Sequence, residues 1–166
     1  MDRKRDHLLA FFAGFVCLTA LDQWTKAMAV ASLKGKEAFV LWQGVFELLY
    51  SENRGAAFGM LQGRQGFFFV VALVVFSFVV YAMVKLPPSR RYVPMELCLT
   101  MIMAGAAGNL IDRVSQGDVV DFLYVKLINF PIFNVADIYA TVSAVILLFC
   151  ISASSIFRSS MWRTAM

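Results

Sequence analysis

Histidine and cysteine are scarce in this sequence, which limits the chemistry it can perform. The only histidine is His7, close to the N-terminus. The three cysteines each stand alone in an apolar stretch: Cys17, Cys98 and Cys150. A zinc hydrolase needs clustered ligands such as His and Cys, and a serine–histidine hydrolase needs a histidine base. The spacing also predicts no disulfide or metal site, so we expect neither a metal nor a cofactor.

Charged side chains are also few, and apolar ones dominate. Charged residues make up 16% of the chain and hydrophobic residues 60%, whereas soluble domains are roughly 45–50% apolar. The mean hydropathy is +0.72. In residues 67–86 the only polar side chains are Ser77, Tyr81 and Lys85. About 20 helical residues cross a hydrocarbon core of roughly 30 Å, so this segment is typical of a membrane span.

Three further segments are also long and apolar enough to be membrane spans. The predicted spans are residues 8–31, 67–86, 93–111 and 135–157. Four spans in 166 residues predict one helical bundle domain, residues 1–166. The basic start followed by an apolar run also fits a cleaved signal peptide. However, the run exceeds signal-peptide length and the segment Asp22–Lys26 does not resemble a small-residue cleavage site, so a retained first helix is favoured.

The net charge of +4 indicates membrane topology rather than nucleic-acid binding. Basic residues occupy the three short segments outside the spans: Arg3, Lys4 and Arg5 before the first, Lys85, Arg90 and Arg91 between the second and third, and Arg158 and Arg163 at the end. By the positive-inside rule these segments are cytoplasmic. Both termini are therefore predicted in the cytoplasm, and the two longer connections outside.

Most ionisable and amide side chains within the spans fall near the outer ends of those helices, and the inner ends hold little beyond Glu96 and basic flanks. Ionisable groups in a membrane are costly and usually functional. With the outer loops, the predicted outer cluster comprises Asp22, Lys26, Asn53, Arg54, Asn109, Asp112, Arg113, Asp118, Asp121, Asn134 and Asp137. The topology therefore predicts one polar site at the outer boundary of the hydrocarbon.

The outer connections carry signals of ordered structure. Residues 39–50 and 119–128 are rich in β-branched and aromatic side chains, with Gly44 as a possible turn. Residues 55–61 are small and apolar, which suits a short interfacial helix. The predicted fold is an all-α membrane protein of four transmembrane helices with a small extracytoplasmic β-sheet and this short helix.

Each polar pair also has a purely structural explanation. Asn134 and Asp137 suit the first turn of a helix as a capping box. Asp112 with Arg113 suits an interfacial ion pair, and Asp22 with Lys26 a neutralised pair four residues apart. These explanations leave open why five acids and several amides share one edge of the bundle.

Carboxylates are the chemistry that remains for such a cluster. A Ser51–Lys26 pair is conceivable, but Asp22 offers Lys26 a partner that keeps it charged. Two aspartates that share a proton can activate a water, one as general base and one as general acid.

Five sequence blocks occur in order along nearly the whole chain. They are Asp22-Gln-Trp-Thr-Lys26, Asn53-Arg-Gly-Ala-Ala-Phe-Gly59, Gly105-Ala-Ala-Gly-Asn-Leu-Ile-Asp-Arg113, Val119-Val-Asp-Phe122 and Phe133-Asn-Val-Ala-Asp137. Together they resemble the lipoprotein signal peptidase (signal peptidase II) family of bacteria.

The resemblance implies an aspartic endopeptidase of the bacterial inner membrane. Its partners would be prolipoproteins whose lipobox cysteine carries a diacylglyceryl group, cut just before that cysteine, and membrane lipid. Asp121 and Asp137 correspond to the catalytic pair, with Asp118 as the local competitor of Asp121. The residues that position substrate or the pair would be Asn53, Arg54, Asn109, Arg113 and Asn134, and the structural supports Asp22, Lys26 and Asp112.

Two other classes remain as alternatives. Transporters and proton relays also carry intramembrane acids, usually near the midplane and in repeated halves. A lipid-binding scaffold would use the same lipid boundary without catalysis. We further expect a monomer that binds no nucleic acid.

The charge bias predicts the membrane topology of the chain. Reporters fused after Arg91 and at the C-terminus should report the cytoplasm, and reporters in residues 32–66 should report the outside, because the short segments are basic. Paired phosphatase and fluorescent-protein fusions measure this. An outside signal at Arg91 would contradict the predicted convergence of polar residues at one face.

Overall fold

Four long helices and one small sheet form the described part of the chain. The computed structural model describes residues 2–55 and 63–163. The helices are α1 (Asp2–Leu33), α2 (Gln65–Lys85), α3 (Val93–Ser115) and α4 (Val135–Arg163). The strands are β1 (Phe39–Trp42), β2 (Phe46–Asn53) and β3 (Val119–Val125). The predicted interfacial helix at residues 55–61 lies, except for Gly55, outside the described residues.

Three helices are long and apolar enough to cross a membrane. They cover Lys4–Leu33, Gln65–Lys85 and Arg90–Ser115, the last including a short 3-10 turn ahead of α3. A shorter apolar helix covers Val135–Cys150, the start of α4. The four predicted spans thus correspond to four helices. α1 begins six residues earlier than predicted, and α3 extends four residues beyond its predicted end.

The apolar side chains divide between a narrow core and a wide outer surface. Phe11, Val79, Met83 and Leu99 pack together where α1, α2 and α3 meet. Large apolar side chains elsewhere on the helices are exposed, including Phe69, Leu73 and Val74 of α2 and Leu148 and Phe149 of α4. A soluble domain rarely exposes an apolar surface of this extent, and lipid is the solvent that suits it.

α3 is the central helix and packs against each of the other three. Its contact with α4 depends on Gly105, because a Cβ atom there would lie 2.6 Å from the backbone oxygen of Ala136. Small residues at helix interfaces in membranes let backbones approach closely. This approach brings the first turn of α4 against the outer half of α3.

The three strands form one antiparallel sheet in the order β1-β2-β3. Gly44, with a φ of 74°, lies in the turn between β1 and β2, a conformation that glycine adopts without strain. Residues 39–50 therefore contribute two strands. In the other predicted segment, residues 119–128, the strand ends at Val125 and is followed by a 3-10 turn at Lys126–Ile128. In the β2–β3 pairing, Ser51 lies opposite Asp121.

The sheet is fixed to the bundle by apolar contacts and by backbone pairing. Ala29 and Leu33 at the end of α1 pack against Val120 and Phe122 of β3. Phe133, just before α4, exchanges backbone hydrogen bonds with Leu123 of 2.8 and 3.0 Å. β3 is thereby held beside the N-terminus of α4.

The close α3–α4 contact predicts a large effect of a single methyl group. Gly105→Ala should destabilise the protein by about 1–3 kcal/mol, because overpacking forces the backbones apart. Thermal unfolding in detergent measures the loss. Gly66→Ala in α2 is the matched control, since its Cβ would meet nothing within 4 Å; equal stability of the two variants would contradict this account of the contact.

Candidate active site

Polar side chains from three helices and the sheet meet at the end of the bundle that carries the sheet. This is the convergence that the topology predicts. The side chains linked there by hydrogen bonds or ion pairs are Asp22, Gln23, Lys26, Asn53, Asn109, Asp112, Asp121, Asn134 and Asp137. Each must find partners within the protein, because unpaired polar groups are costly away from water.

Asp121 of β3 is almost fully buried, and both of its carboxylate oxygens accept hydrogen bonds. Asn53 Nδ2 donates to one oxygen at 2.9 Å, and Asn134 Nδ2 donates to the other at 2.7 Å. Burial raises the pKa of Asp121 to about 6, against the lowering effect of these amides, and the nearby charge of Asp137 adds to the rise. Asp121 therefore keeps its proton to higher pH than an ordinary aspartate.

Asp137 lies in the first turn of α4, where it forms a reciprocal cap with Asn134. The backbone N–H of Asp137 donates to Asn134 Oδ1 at 3.0 Å, and the backbone N–H of Asn134 donates to Asp137 Oδ2 at 3.1 Å. The other oxygen of Asp137 accepts a hydrogen bond from Asn109 Nδ2 at 2.9 Å. The capping interpretation is thus correct, and it holds the carboxylate in a fixed place at the helix N-terminus.

Asn134 connects the two aspartates. It is completely buried, and its Nδ2 donates both to Asp121 Oδ1 and, at 3.1 Å, to Asn109 Oδ1. Its Oδ1 accepts the backbone N–H of Asp137, and its own backbone N–H donates to Asp137 Oδ2, so one residue contacts both carboxylates.

Lys26 lies behind these amides in a buried ion cluster. Its Nζ lies 2.9 Å from Asp22 Oδ2 and 2.9 Å from Asp112 Oδ2, and it donates to Asn109 Oδ1 at 3.0 Å. The predicted Asp22–Lys26 pair is present. Asp112, in contrast, pairs with Lys26 and not with its sequence neighbour Arg113, because it points from α3 toward α1.

Arg113 contacts backbone oxygens and an aromatic ring. Its guanidinium donates to Gly55 O at 2.9 Å and to Asn109 O at 3.2 Å, and it lies 4.2 Å from the centroid of the Phe68 ring. Its Nε is buried without a partner among the described residues. Arg113 thus joins α3 to the start of α2 and to the end of β2.

A cavity of about 440 Å³ opens beside the two aspartates. Asn53, Asn109, Arg113, Asp121 and Asp137 contribute its polar wall. The opposite wall is mainly apolar and comes from the segment before α4 and from its first turns: Phe130, Pro131, Ile132, Phe133, Ile138, Thr141 and Val142. A few convergent polar groups in an apolar cavity are typical of a ligand site.

Arg54 and Asp118 do not line this cavity. The Arg54 side chain is 71% exposed, and its Nε lies 3.7 Å from Asp118 Oδ2. Asp118 precedes β3 and does not share the hydrogen bonds of Asp121. A positioning role for Arg54 stays a prediction.

Other reaction types find little support among the described residues. Within residues 2–55 and 63–163, no group of three or more His, Cys, Asp or Glu side chains lies together as a metal site would require. The Ser51–Lys26 alternative is disfavoured, because the ammonium of Lys26 is bound by two carboxylates and an amide oxygen. The acidic side chains that the cavity presents are those of Asp121 and Asp137, which favours a reaction catalysed by aspartates.

Known proteins share this arrangement of sequence and fold. A family model described as signal peptidase (SPase) II matches residues 14–153. A lipoprotein signal peptidase of Caldanaerobacter subterraneus subsp. tengcongensis is 48% identical over 76% of this chain and 85% of its own. A lipoprotein signal peptidase of Brevibacillus brevis is 43% identical over 79% of this chain and 87% of its own.

The fold agrees as well. A solved bacterial membrane enzyme, determined by the in meso method at 2.3 Å resolution, superposes with a TM-score of 0.80 at 29% identity, over 88% of this chain and 89% of that one. A second, at 1.9 Å resolution, gives a TM-score of 0.75 at 30% identity. The chain belongs to the signal peptidase II family. It is a membrane aspartic peptidase, and the resemblance carried by the five blocks is confirmed.

The sequence did not predict two residues that stabilise the site, Gln23 and Gly108. Gln23 Nε2 donates to Asp112 Oδ1 at 2.8 Å and to Gly108 O at 3.2 Å, so it joins α1 to α3. Gly108 makes room for Asp22, whose Oδ2 would lie 2.2 Å from an added Cβ. A polar residue in an apolar span was the available signal for Gln23; the close contact at Gly108 depends on helix packing.

The raised pKa of Asp121 predicts a pH-dependent effect of Asn53. If the aspartate pair works with one shared proton, peptidase activity falls as pH rises and that proton is lost. Asn53→Ala removes a hydrogen bond that stabilises the carboxylate, so the pKa of Asp121 rises and the alkaline limb should move to higher pH.

The pH profile of kcat measures this shift. The matched control is Gln65→Ala, which removes an amide that donates to Gly117 O away from the cavity. If the alkaline limb of the Asn53→Ala profile stays in place or moves to lower pH, the assignment of this limb to Asp121 is contradicted.

Proposed function

We propose that this chain removes signal peptides from diacylglyceryl-modified prolipoproteins, cutting just before the lipidated cysteine with a water activated by Asp121 and Asp137. The observation that carries the proposal is that these two carboxylates line one cavity and both accept hydrogen bonds from the same buried residue, Asn134, one from its side chain and one from its backbone N–H. The lipoprotein signal peptidases at 48% and 43% identity support the substrate class.

The environments of the two aspartates support different roles. Asp121 is the acid, since burial raises its pKa to about 6. Asp137 is the base, since its carboxylate lies at the positive end of α4, where it accepts hydrogen bonds from the Asn134 backbone N–H and from Asn109 Nδ2 of α3. Aspartates whose environments differ in this way divide the acid and base steps between them.

The reaction then follows general acid–base catalysis. Asp137 takes a proton from the water molecule while the oxygen of that water attacks the scissile carbonyl carbon. Asp121 gives its proton to the nitrogen of the cysteine as the C–N bond breaks. The signal peptide leaves with a new carboxyl group, and the lipoprotein keeps a free amine on its lipidated cysteine.

The apolar wall of the cavity supports a lipid-bearing substrate. Ile138, Thr141 and Val142 line the cavity from α4, whose outer side chains are exposed and apolar. Buried acyl chains contribute about 0.8 kcal/mol per CH₂ to membrane partitioning. The diacylglyceryl group would thereby hold the scissile bond at the depth of the aspartates.

The proposed setting is the cytoplasmic membrane, with one four-helix domain that crosses it four times. The basic short segments put both termini in the cytoplasm and the sheet with its cavity on the outer side. Arg113 also lines the cavity, which supports its role as a residue that positions the substrate.

The catalytic pair predicts two inactive variants. Asp121→Asn and Asp137→Asn should each abolish cleavage of a lipidated prolipoprotein, because asparagine can neither accept the proton of water in place of Asp137 nor donate an acidic proton to the leaving nitrogen in place of Asp121. Asparagine has nearly the same size and can still cap α4, so folding should survive. Cleavage assays and thermal unfolding in detergent measure both properties.

Asp118→Asn is the matched control and should retain activity. A capping role alone for Asp137 would leave Asp137→Asn active. An active Asp121→Asn enzyme with an inactive Asp118→Asn enzyme would transfer the acid role to Asp118. Activity in both Asp121→Asn and Asp137→Asn would exclude the aspartic mechanism.

The lipid-facing cavity predicts a strong preference for lipidated substrate. A prolipoprotein without its diacylglyceryl group should be cut much more slowly at equal concentration, because nothing holds its cysteine at the depth of the pair. Cleavage of both forms in the same detergent micelles measures the ratio. Equal rates would exclude a role for the lipid in binding.

A further inference from the structure

The ammonium group of Lys26 has no unused hydrogen-bond donor. Its side chain is 3% exposed, and its three N–H groups face Asp22 Oδ2, Asp112 Oδ2 and Asn109 Oδ1. An ammonium donates and cannot accept. Whatever faces Lys26 must therefore present an oxygen.

This requirement fixes the orientation of the Asn109 amide. Its Oδ1 faces Lys26, so its Nδ2 must point the other way, and it donates to Asp137 Oδ1 at 2.9 Å. A flipped amide would place its NH₂ against the ammonium and its oxygen against the carboxylate. The flip is therefore unfavourable on both sides, at Lys26 and at Asp137.

The same oxygen of Asn109 also orients Asn134. It accepts Asn134 Nδ2 at 3.1 Å, and that nitrogen also donates to Asp121 Oδ1 at 2.7 Å. With Nδ2 held there, Asn134 Oδ1 is the atom left to cap α4 at Asp137. The orientation that begins at Lys26 therefore extends through two amides to both aspartates.

We propose that Lys26 is a positioning residue for catalysis, which fixes the amides of Asn109 and Asn134 so that both aspartates meet only N–H donors. This role rests on the proposed function of the Asp121–Asp137 pair. It goes beyond structural support, since it concerns which atoms face the carboxylates and not merely whether the helices stay packed.

Several charged groups surround this chain of hydrogen bonds. Asp22 from α1 and Asp112 from α3 face Lys26 directly. Arg113 from α3 interacts electrostatically with Asp112, Asp121 and Asp137. Lys26 also favours the charged form of Asp121 across the cluster. Removing the lysine charge alone would leave two buried carboxylates with one partner fewer, so a single substitution risks misfolding.

A charge-balanced background avoids that risk. Asp112→Asn combined with Lys26→Met removes one positive and one negative charge, and leaves no donor at position 26 for Asn109. Asp112→Asn combined with Lys26→Gln has the same charge and restores an amide donor one bond shorter than lysine. The two double variants are compared with Asp112→Asn alone, for thermal stability in detergent and for kcat, KM and pH profile.

The methionine double variant should fold and bind substrate with little change in KM, but lose about 10²-fold in kcat, the scale of a misplaced catalytic group. The glutamine double variant should recover much of this kcat. A flipped Asn109 would face Asp137 with its oxygen, so the alkaline limb should lie at higher pH in the methionine variant than in the glutamine variant.

Lys126→Met is the control for loss of a lysine ion pair outside the site, since Lys126 pairs with Glu47 at 2.7 Å on the sheet; its kcat should be unchanged. Equal kcat and equal pH profiles in the two double variants would overturn the positioning role while leaving the aspartic mechanism intact. That mechanism fails separately, if Asp121→Asn and Asp137→Asn are active.

Discussion

The buried ion cluster around Lys26 is the interaction on which the rest of the site depends. Two carboxylates and one ammonium lie where α1 and α3 pack, almost without contact with water. In a medium of low dielectric such charges must satisfy one another, because the free energy of leaving one unpaired is large. Asp22 and Asp112 also accept backbone N–H groups from Ala136 and Val120. One cluster thereby joins two helices to α4 and to β3.

The groups that face the cavity likewise each serve more than one role. Asn134 caps α4 and contacts both aspartates, and Asp137 is at once a capping residue and half of the proposed catalytic pair. A structural and a chemical role are therefore not alternatives for these side chains. Rigid attachment to a helix N-terminus is what keeps a carboxylate in a productive place.

The surface of the molecule changes along the helix bundle, from an apolar region suited to lipid to a polar end suited to water. Apolar side chains cover the helices, whereas hydrogen-bonded polar groups are concentrated at the end that carries the sheet. The cavity lies between these two regions, with carboxylates on one wall and mainly apolar side chains on the other. The proposed substrate, which is part peptide and part lipid, would fit such a boundary, with its scissile peptide bond beside the aspartates.

Much of this was determined by the sequence alone. Long apolar runs predicted the helices, because only helices satisfy their backbone in lipid, and the order of spans predicted that Asp22, Asn109 and Asp137 meet at one end. The strands at residues 39–50 and 119–128 followed from β-branched and aromatic residues. Tertiary structure decided what local pattern cannot specify: that Asp112 pairs with Lys26 and not with Arg113, that Arg54 lies outside the cavity, and that Gly108 makes room for Asp22. These outcomes depend on how the helices and strands pack against one another, since the residues that meet lie on different elements and far apart in the chain.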